Sequence, residues 1–312
     1  MLTIILLALM SAPADQVHWL RGNTHTHTLE SDGDSTPEEV AAWYRAHGYD
    51  FLVITDHDKV TRLDGGSLIL IPGEEITDRL PKKPLHVNAM GIGEAIPPQK
   101  GETTVEVLQR NIDAVLKAGG IPTVNHPNFG WAFGSAELLQ LEGPMLLEIA
   151  SGHPYVNMYG PPSIESMWDA LLTAGRRVWG IAADDSHHLK RPWDSDVALP
   201  GKAWIVVRAA ERSADAILAS IRRGDFYAST GVEIADYTVT PAAMTVTVKA
   251  KNLARYRTQF IGSDGVVLGE SGENPATFPL EGVSGYVRAK VIDSNGRVAW
   301  LQPYFVPAIV EE

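Results

Sequence analysis

The sequence VHWLRGNTHTH, residues 17–27, places two histidines directly after a stretch with the character of a β-strand. Val17 to Leu20 is mostly apolar, and a single residue separates His25 from His27. Residues two apart in an extended segment point to the same face, so both imidazoles can reach one metal ion. Imidazole suits zinc, iron, copper and nickel. An isolated pair of this kind more often belongs to a surface or a core, so the remaining sequence decides its role.

Strand and helix patterns alternate up to about residue 232, which is typical of an α/β protein with parallel strands. Thr36 is a candidate N-cap with Pro37 at the first helical position, and several predicted helices end at a glycine. Seven or eight such units predict a closed or nearly closed barrel, with function at the carboxyl ends of its strands. The predicted strands are 18–22, 50–55, 67–72, 86–92, 121–124, 145–150, 177–182 and 203–208, and the predicted helices are 37–47, 104–118, 164–174 and 214–223.

The pattern changes after Gly231, where helical periodicity gives way to short alternating segments and the turn pairs Asp264-Gly265 and Asn295-Gly296. This part is predicted to be a small all-β domain, a sandwich, over residues 233–312. All ten histidines lie between His18 and His188, so we expect no chemistry there. Its predicted strands are 243–250, 259–261, 286–292 and 298–302.

The first residues have the pattern of a secretory signal, which we assign to residues 1–14. An apolar run is followed by small residues at Ala12 and Ala14, so we expect cleavage before Asp15 and a secreted or periplasmic protein. No Lys or Arg precedes the apolar run, and a membrane anchor or a buried strand is the alternative. No interior stretch is long and apolar enough to cross a bilayer, so no membrane contact is expected after cleavage.

The composition excludes some kinds of catalytic group and argues against one kind of partner. The chain of 312 residues contains no cysteine, which excludes thiolate ligands and thiol nucleophiles, and its core must stabilise it without disulfides. Its formal net charge of −12 argues against a nucleic-acid partner. We therefore expect a small-molecule substrate, and the oligomeric state stays open.

Almost every predicted strand of the barrel delivers a histidine or a carboxylate to the same rim. A structural zinc ion takes four ligands and a catalytic one takes three, so this set is too large for one ion. It indicates two or three ions with a bridging carboxylate. The candidate ligands in chain order are His25, His27, Asp32, His57, Glu75, His86, His126, Asp185 and His187.

These motifs, in this order, resemble those of the PHP (polymerase and histidinol phosphatase) superfamily over roughly residues 17–232. The resemblance implies a distorted seven-stranded TIM-like βα barrel, over residues 15–232, with a trinuclear site for Zn, Mn or Fe. It also favours Glu75 over Glu74, because the carboxylate of the family lies two residues after the glycine. By resemblance, one ion would be held by His25, His27, Glu75 and Asp185, a second by Glu75, His86 and His126, and a third by Asp32, His57 and His187.

Within that superfamily, the branch that includes secreted metallohydrolases related to carbaryl hydrolase is the most similar. Two stretches support this resemblance. They are residues 224–231, GDFYASTG, and residues 299–303, AWLQP.

Three functions remain open. The first is a phosphoesterase acting on a phosphate mono- or diester, in which a hydroxide bridging the ions attacks phosphorus without a covalent enzyme intermediate. The second is hydrolysis of a carboxyl ester or carbamate on the same ions, and the third is a non-catalytic metal-binding module. A phosphate pocket needs extra Arg or Lys, and the motifs have few nearby: Lys59, Arg62, Lys190 and Arg191.

Further residues are candidates for supporting roles, each with an ordinary structural alternative. Asp56 can orient a ligand imidazole or cap a turn. His188 can protonate the leaving group or be solvated, and Arg191 can bind phosphate or lie on the surface. Glu148, in an apolar strand, needs a partner and is interpreted as contacting a ligand instead of being one. Four aromatic residues in rim loops can form a wall or simply pack: Trp131, Phe133, Tyr155 and Trp193.

Overall fold

The computed structural model describes residues 17–156, 163–251 and 253–307. The predicted signal over residues 1–14 and its cleavage site lie outside these ranges. No helix in the described ranges combines the length and the apolar character that crossing a membrane requires. The architecture is mixed α/β and mostly sheet.

The part of the chain up to Ser229 alternates strands with helices only in part, because in the described ranges no helix separates β2, β3 and β4, or β7 and β8. Thr36 caps the first helix and forms a capping box with Glu39, which explains why this helix begins at Pro37. The strands are β1 (His18–Asn23), β2 (Phe51–Ile54), β3 (Ile69–Leu80), β4 (Lys83–Met90), β5 (Ile121–Val124), β6 (Leu146–Ser151), β7 (Trp179–Ala183), β8 (Trp204–Ala209) and β9 (Phe226–Ser229), and the helices are α1 (Pro37–Ala46), α2 (Thr104–Lys117), α3 (Ser135–Leu138), α4 (Ile164–Thr173) and α5 (Ala214–Arg223).

The expectation of a wholly parallel sheet is wrong at β4 and at β8, which pairs antiparallel with both β1 and β9. Strand β3 does not end at residue 72 but continues to Leu80, and β4 starts at Lys83 and returns antiparallel. Two residues, Pro81 and Lys82, make the connection, and so short a turn can join only antiparallel neighbours. Strand β5 then pairs antiparallel with β4, whereas β1–β2, β2–β3, β5–β6 and β6–β7 are parallel pairs.

The first and seventh strands meet just beyond their carboxyl ends. Thr26 forms a parallel bridge with Ser186, where the His27 amide donates to the Ser186 carbonyl at 2.8 Å. The Asp185 amide donates to the His25 carbonyl at 2.9 Å. Along the edge opposite β2, strand β1 pairs antiparallel with β8 from His18 to Gly22. The metal-motif segments that follow β1 and β7 are therefore held side by side by backbone hydrogen bonds.

Eight strands follow Gly231 in the described residues. Three of them form a separate sheet in the order β10-β11-β14, whereas β12, β13 and β15–β17 extend the sheet that contains β1–β9. The connection is an antiparallel pair between β16 and β9. The strands are β10 (Ile234–Val239), β11 (Ala243–Val248), β12 (Tyr256–Ile261), β13 (Val267–Ser271), β14 (Ala276–Pro279), β15 (Tyr286–Asp293), β16 (Val298–Leu301) and β17 (Tyr304–Phe305).

The two sheets of this part pack through their apolar faces. The rings of Phe260 and Phe278 stack with centroids 5.1 Å apart. The same buried cluster includes Val40 of α1 and Leu52 of β2 together with Val246 and Val291. The core therefore continues from the α/β part into the C-terminal strands, and the predicted boundary at residue 232 does not separate two sheets.

A buried ion pair also connects the two parts. Arg288 of β15, 1% exposed, donates to both carboxylate oxygens of Asp169 in α4 at 2.7 Å and to Glu165 at 2.8 Å. Tyr286 donates to Asp169 at 2.7 Å, and the guanidinium lies 4.9 Å from the ring centroid of Trp168. Such bidentate geometry is what a buried arginine needs to offset its desolvation.

Replacing Asp169 with Asn should therefore destabilise the protein by about 3 kcal/mol, because the Arg288 charge would stay buried with incomplete pairing. Urea denaturation measures the change. The matched control is Asp225→Asn, which breaks a solvent-exposed pair with Arg223 and should cost less than about 1 kcal/mol. Equal losses for the two variants would contradict this account.

Candidate metal centre

The predicted ligands lie around one cavity at the carboxyl ends of the strands. The cavity has a volume of about 520 Å³. His25 and His27 are fully buried beneath it, with side-chain exposures of 0%. The residues that line it are Asp32, His57, Glu75, His86, His126, Phe129, His153, Tyr155, Asp185, His187, His188, Arg191, Asp196, Val197 and Ala198.

Glu75 lies at the centre of this group and is 1% exposed. Pairing of β3 continues to the rim through a bridge between His57 and Glu75, which aims the Glu75 side chain inward. Strand alternation turns the neighbouring Glu74 away, and its Oε1 accepts from the Ile96 amide at 2.5 Å. Five imidazoles lie within 3.4 Å of the Glu75 carboxylate: His86 at 3.0 Å, His57 at 3.1 Å, His25 and His126 at 3.3 Å, and His27 at 3.4 Å.

Two further carboxylates complete the cluster. Asp185 Oδ1 lies 3.2 Å from His25 Nε2 and 3.3 Å from His27 Nε2. Asp32, on the solvent side, lies 3.5 Å from His27 Nδ1 and His57 Nε2 and 3.4 Å from His187 Nε2. All nine candidate ligands are therefore brought together.

The donor atoms fit metal ions. His25 Nε2, His27 Nε2 and His86 Nδ1 are buried without a hydrogen-bond partner in the described residues, which is costly unless another group binds them. Ligands about 2.1 Å from a tetrahedral ion lie ~3.4 Å from one another, which matches the spacings above.

The spacing of the donor atoms divides most of these ligands into three groups that can each hold an ion. Two residues differ from the assignment that the resemblance implied. His27, which was expected to bind the first ion alone, also lies beside Asp32. His86 lies 3.0 Å from Glu75 but belongs to none of the three groups. The groups are His27, Asp32, His57 and His187; His25, Glu75 and His126; and His25, His27 and Asp185.

The charges of the cluster balance one another. Burial alone would raise the pKa of Glu75, but the charges of His86 and His25 hold it well below its usual range. Burial likewise opposes ionisation of Asp185, and the charge of His25 outweighs it and lowers the pKa. Burial would lower the pKa of His187, but its hydrogen bond with Asp32 raises it to about 9. Burial and the charge of His187 lower the pKa of His27 to about 4, so this imidazole stays neutral, and metal ions would compete with the protons on the others.

Glu148 supports the cluster from below, as the sequence indicated. It is fully buried in β6, and its Oε2 lies 3.0 Å from His25 Nδ1. A carboxylate at one ring nitrogen sets the tautomer and aims the other nitrogen, here Nε2, at Glu75 and Asp185.

A second buried hydrogen-bond network, around Asn23 and Asp184, was not predicted from the sequence. Asn23 accepts from the Asp184 amide at 2.9 Å and donates to the His25 carbonyl at 2.8 Å. Asp184 accepts from three successive backbone amides, Gly201, Lys202 and Ala203, at 2.7–2.8 Å. The signal was present as a polar residue immediately before each of two ligand motifs, but only the contact between the segments that follow β1 and β7 reveals its role.

Asp56 does not orient a ligand imidazole. It accepts from the Thr28 amide at 2.7 Å, the Thr28 hydroxyl at 2.8 Å and Ser31 at 2.9 Å. These bonds hold the turn that carries Asp32, so the turn-capping alternative describes its contacts. Asp56 makes these contacts because, at the end of β2, its side chain points toward the loop that follows β1.

His188 and Arg191 both line the cavity. His188 Nδ1 lies 3.4 Å from Asp34 Oδ2, and Arg191 Nη2 lies 3.5 Å from His188 Nε2. The other basic candidates are engaged elsewhere: Lys59 with Glu30, Arg62 with the Gly93 carbonyl, and Lys190 with Glu39. Within the described residues, Arg191 is therefore the one Lys or Arg that lines the cavity.

The aromatic wall differs from the expected one. Tyr155 lines the cavity, but Phe133 is buried, and Trp131 and Trp193 are 72% and 80% exposed in their loops. Phe129 and His153 contribute instead. Sequence reasoning missed His153 because it follows β6 in an irregular loop without a strand-end motif. Burial lowers the pKa of this histidine.

The fold has a relative among solved structures. A two-domain protein from Bacteroides vulgatus, described as containing a predicted PHP-like metal-dependent phosphoesterase, matches with a TM-score of 0.50 and 16% identity over 93% of this chain and 92% of that one. This likeness shows that the two chains share a fold.

An amidohydrolase from Chromobacterium violaceum, with bound sulfate and no metal, matches with a TM-score of 0.40 and 16% identity over 57% of this chain and 92% of that one. Neither a protein-family model nor a curated protein matches the sequence.

Replacing both His25 and His27 with Ala should remove most of the bound metal, because these side chains contribute to every one of the three groups. Metal analysis of the purified protein measures the effect. The matched control is His18→Ala, which removes a histidine outside the cavity and should leave the metal content unchanged. A double variant with full metal content would overturn the whole assignment.

Replacing Glu148 with Gln should weaken metal binding about 10- to 100-fold, because His25 would lose the carboxylate that orients it. Competition with a chelator measures this affinity. Glu137→Gln, in the short helix α3, provides a control outside the cavity. An unchanged affinity for Glu148→Gln would show that burial alone positions His25.

Proposed function

We propose that this protein is a metal-dependent hydrolase, and that it acts on a phosphate mono- or diester of a small molecule. The observation that supports the proposal is the convergence of six histidines and three carboxylates, Glu75 among them, beside a cavity that also contains Arg191. A structural metal site closes around its ion, whereas a catalytic one remains accessible to a substrate, and this cluster faces a cavity.

The nine predicted ligands would hold two or three divalent ions, with Glu75 shared between them. Mixed imidazole and carboxylate ligands suit Zn, Mn or Fe. When bound, such ions polarise the ester oxygen and generate a nucleophile from water at neutral pH. No residue of the chain needs to form a covalent intermediate, so trapping of a phospho-enzyme would contradict the proposal.

The other residues of the cavity bind the substrate and handle protons. Arg191 presents a planar fork of donors to phosphoryl oxygens. His188 lies between Asp34 and Arg191 and would protonate the leaving oxygen from Nε2 once a bound phosphoryl group has drawn the Arg191 donor away from that atom. Phe129 and Tyr155 form an apolar surface for the organic part of the ester.

A second candidate is hydrolysis of a carboxyl ester or carbamate on the same ions. It is favoured by the aromatic side of the cavity, Phe129 and Tyr155, and by the presence of a single basic side chain, Arg191, in its described lining. A non-catalytic metal-binding module is the third reading, and it would follow if fully loaded protein cleaved no ester.

The finer architecture belongs to the same proposal. We infer a distorted seven-stranded barrel over residues 15–232, supported by the bridge between Thr26 and Ser186, and a β-sandwich over residues 233–312, supported by the packing of Phe260 on Phe278. The apolar run before residue 15 supports export to the periplasm or the exterior.

The proposal is tested by metal analysis together with a panel of phosphate monoesters, phosphate diesters, carboxyl esters and carbamates. We expect turnover of a phosphate ester that requires bound metal and is lost on chelation. Preferential turnover of carbamates or carboxyl esters would support the second candidate.

Replacing Arg191 with Met should raise KM chiefly for anionic substrates, because the side chain keeps its length but loses its charge and donors. Steady-state kinetics on charged and neutral esters measures the difference. Lys190→Met is the matched control, since Lys190 lies 3.7 Å from Glu39 and does not line the cavity. An unchanged KM for Arg191→Met removes this arginine from the site.

A further inference from the structure

His153 lines the cavity but has no place in the ligand set. It lies in the loop after β6, and its ring centroid is 5.9 Å from that of His187, 5.6 Å from Phe129 and 5.4 Å from Tyr155. It therefore lies where the metal ligands meet the aromatic side of the cavity. A polar ring in that position faces the reacting part of a substrate.

Backbone hydrogen bonds determine the tautomer of this ring. The Tyr155 amide donates to His153 Nδ1 at 3.3 Å, and the His153 amide donates to the Ser151 hydroxyl at 3.2 Å. A backbone N–H can only donate, so Nδ1 carries no proton. The ring is then neutral with its proton on Nε2, and no group in the described residues accepts a hydrogen bond from that atom.

This arrangement excludes two common roles of a histidine in such a cavity. A metal ligand needs an unprotonated nitrogen, but Nδ1 is occupied by the Tyr155 amide and Nε2 is protonated. A general acid would have to lose the Nε2 proton from a neutral ring, which would leave an imidazolate. A neutral imidazole can instead donate a hydrogen bond to an oxygen that carries negative charge, without transferring its proton.

We propose that His153 is an oxyanion-binding residue that donates a hydrogen bond from Nε2 to a non-bridging oxygen of the phosphoryl group. Arg191 lines the same cavity and supplies the positive charge that His153 lacks. This inference rests on the proposed function for the identity of the reacting group. No bond is made or broken at His153, and its proton stays on Nε2 throughout.

Three variants test the role. His153→Phe keeps an aromatic ring between Phe129 and Tyr155 but removes the donor, and His153→Gln restores an N–H donor. Inorganic phosphate is the probe, with its affinity measured by calorimetry on protein of verified metal content. We expect His153→Phe to bind phosphate about ten- to a hundredfold more weakly and His153→Gln to regain most of the loss. The control, His47→Phe, changes an exposed ring stacked on Trp43 and should bind phosphate normally.

Two further readouts separate this role from others. Nitrogen NMR of labelled histidine should show His153 neutral with its proton on Nε2. With the substrate identified by the ester panel, His153→Phe should lower kcat/KM without removing a limb of the pH profile, whereas loss of a limb would identify a general acid. Loss of metal would identify a ligand, and either result overturns the inference.

The proposed function and this inference can fail separately. If metal-loaded protein cleaves no ester, the proposed function fails, and the phosphate affinities and the tautomer still decide the role of His153. If an ester is cleaved but His153→Phe binds phosphate as tightly as the wild type, the inference on His153 alone is overturned.

Discussion

The site depends on one constraint: a buried carboxylate stays ionised only where opposite charge or hydrogen-bond donors surround it. Glu75 is buried in the middle of β3, and five imidazoles from four other parts of the chain lie within 3.4 Å of its oxygens. Protons on those imidazoles or metal ions between them satisfy the same requirement. Metal ions that bind these donors would compete with protons for them.

That assembly requires the first and seventh strands to be held in register. The backbone bonds between the segment at His25 and that at Asp185, strengthened by Asn23 and Asp184, do this. Because both segments carry candidate ligands that face the same cavity, a slip of one residue would turn alternate side chains away from it. The buried polar network around Asn23 and Asp184 thus fixes the position of the segment at His25 relative to the segment at Asp185. The residues that face the cavity carry the chemistry.

The sequence predicted those parts that rest on local patterns. Helices α1, α2, α4 and α5 begin at the predicted residues, since caps, proline and glycine act within a few positions. The nine ligand candidates could be placed at strand ends because alternating units imply a common rim. The β3–β4 hairpin was missed because Pro72-Gly73 resembled a strand end, although the strand continues through it. His153, Asn23 and Asp184 could not be interpreted, because their roles come from contacts between residues far apart in the sequence.

The β9–β16 pair makes most of the C-terminal strands part of the same sheet as β1–β9, so they are not a separately attached domain. Its register joins Ser229 to Ala299, and the Thr230 amide donates to the Val298 carbonyl at 2.9 Å. Removing these strands would leave β9 with an unpaired edge, open to pairing with another chain. A different C-terminal domain could therefore replace these strands only if it supplied both a strand that pairs with β9 and an apolar surface that continues the shared core.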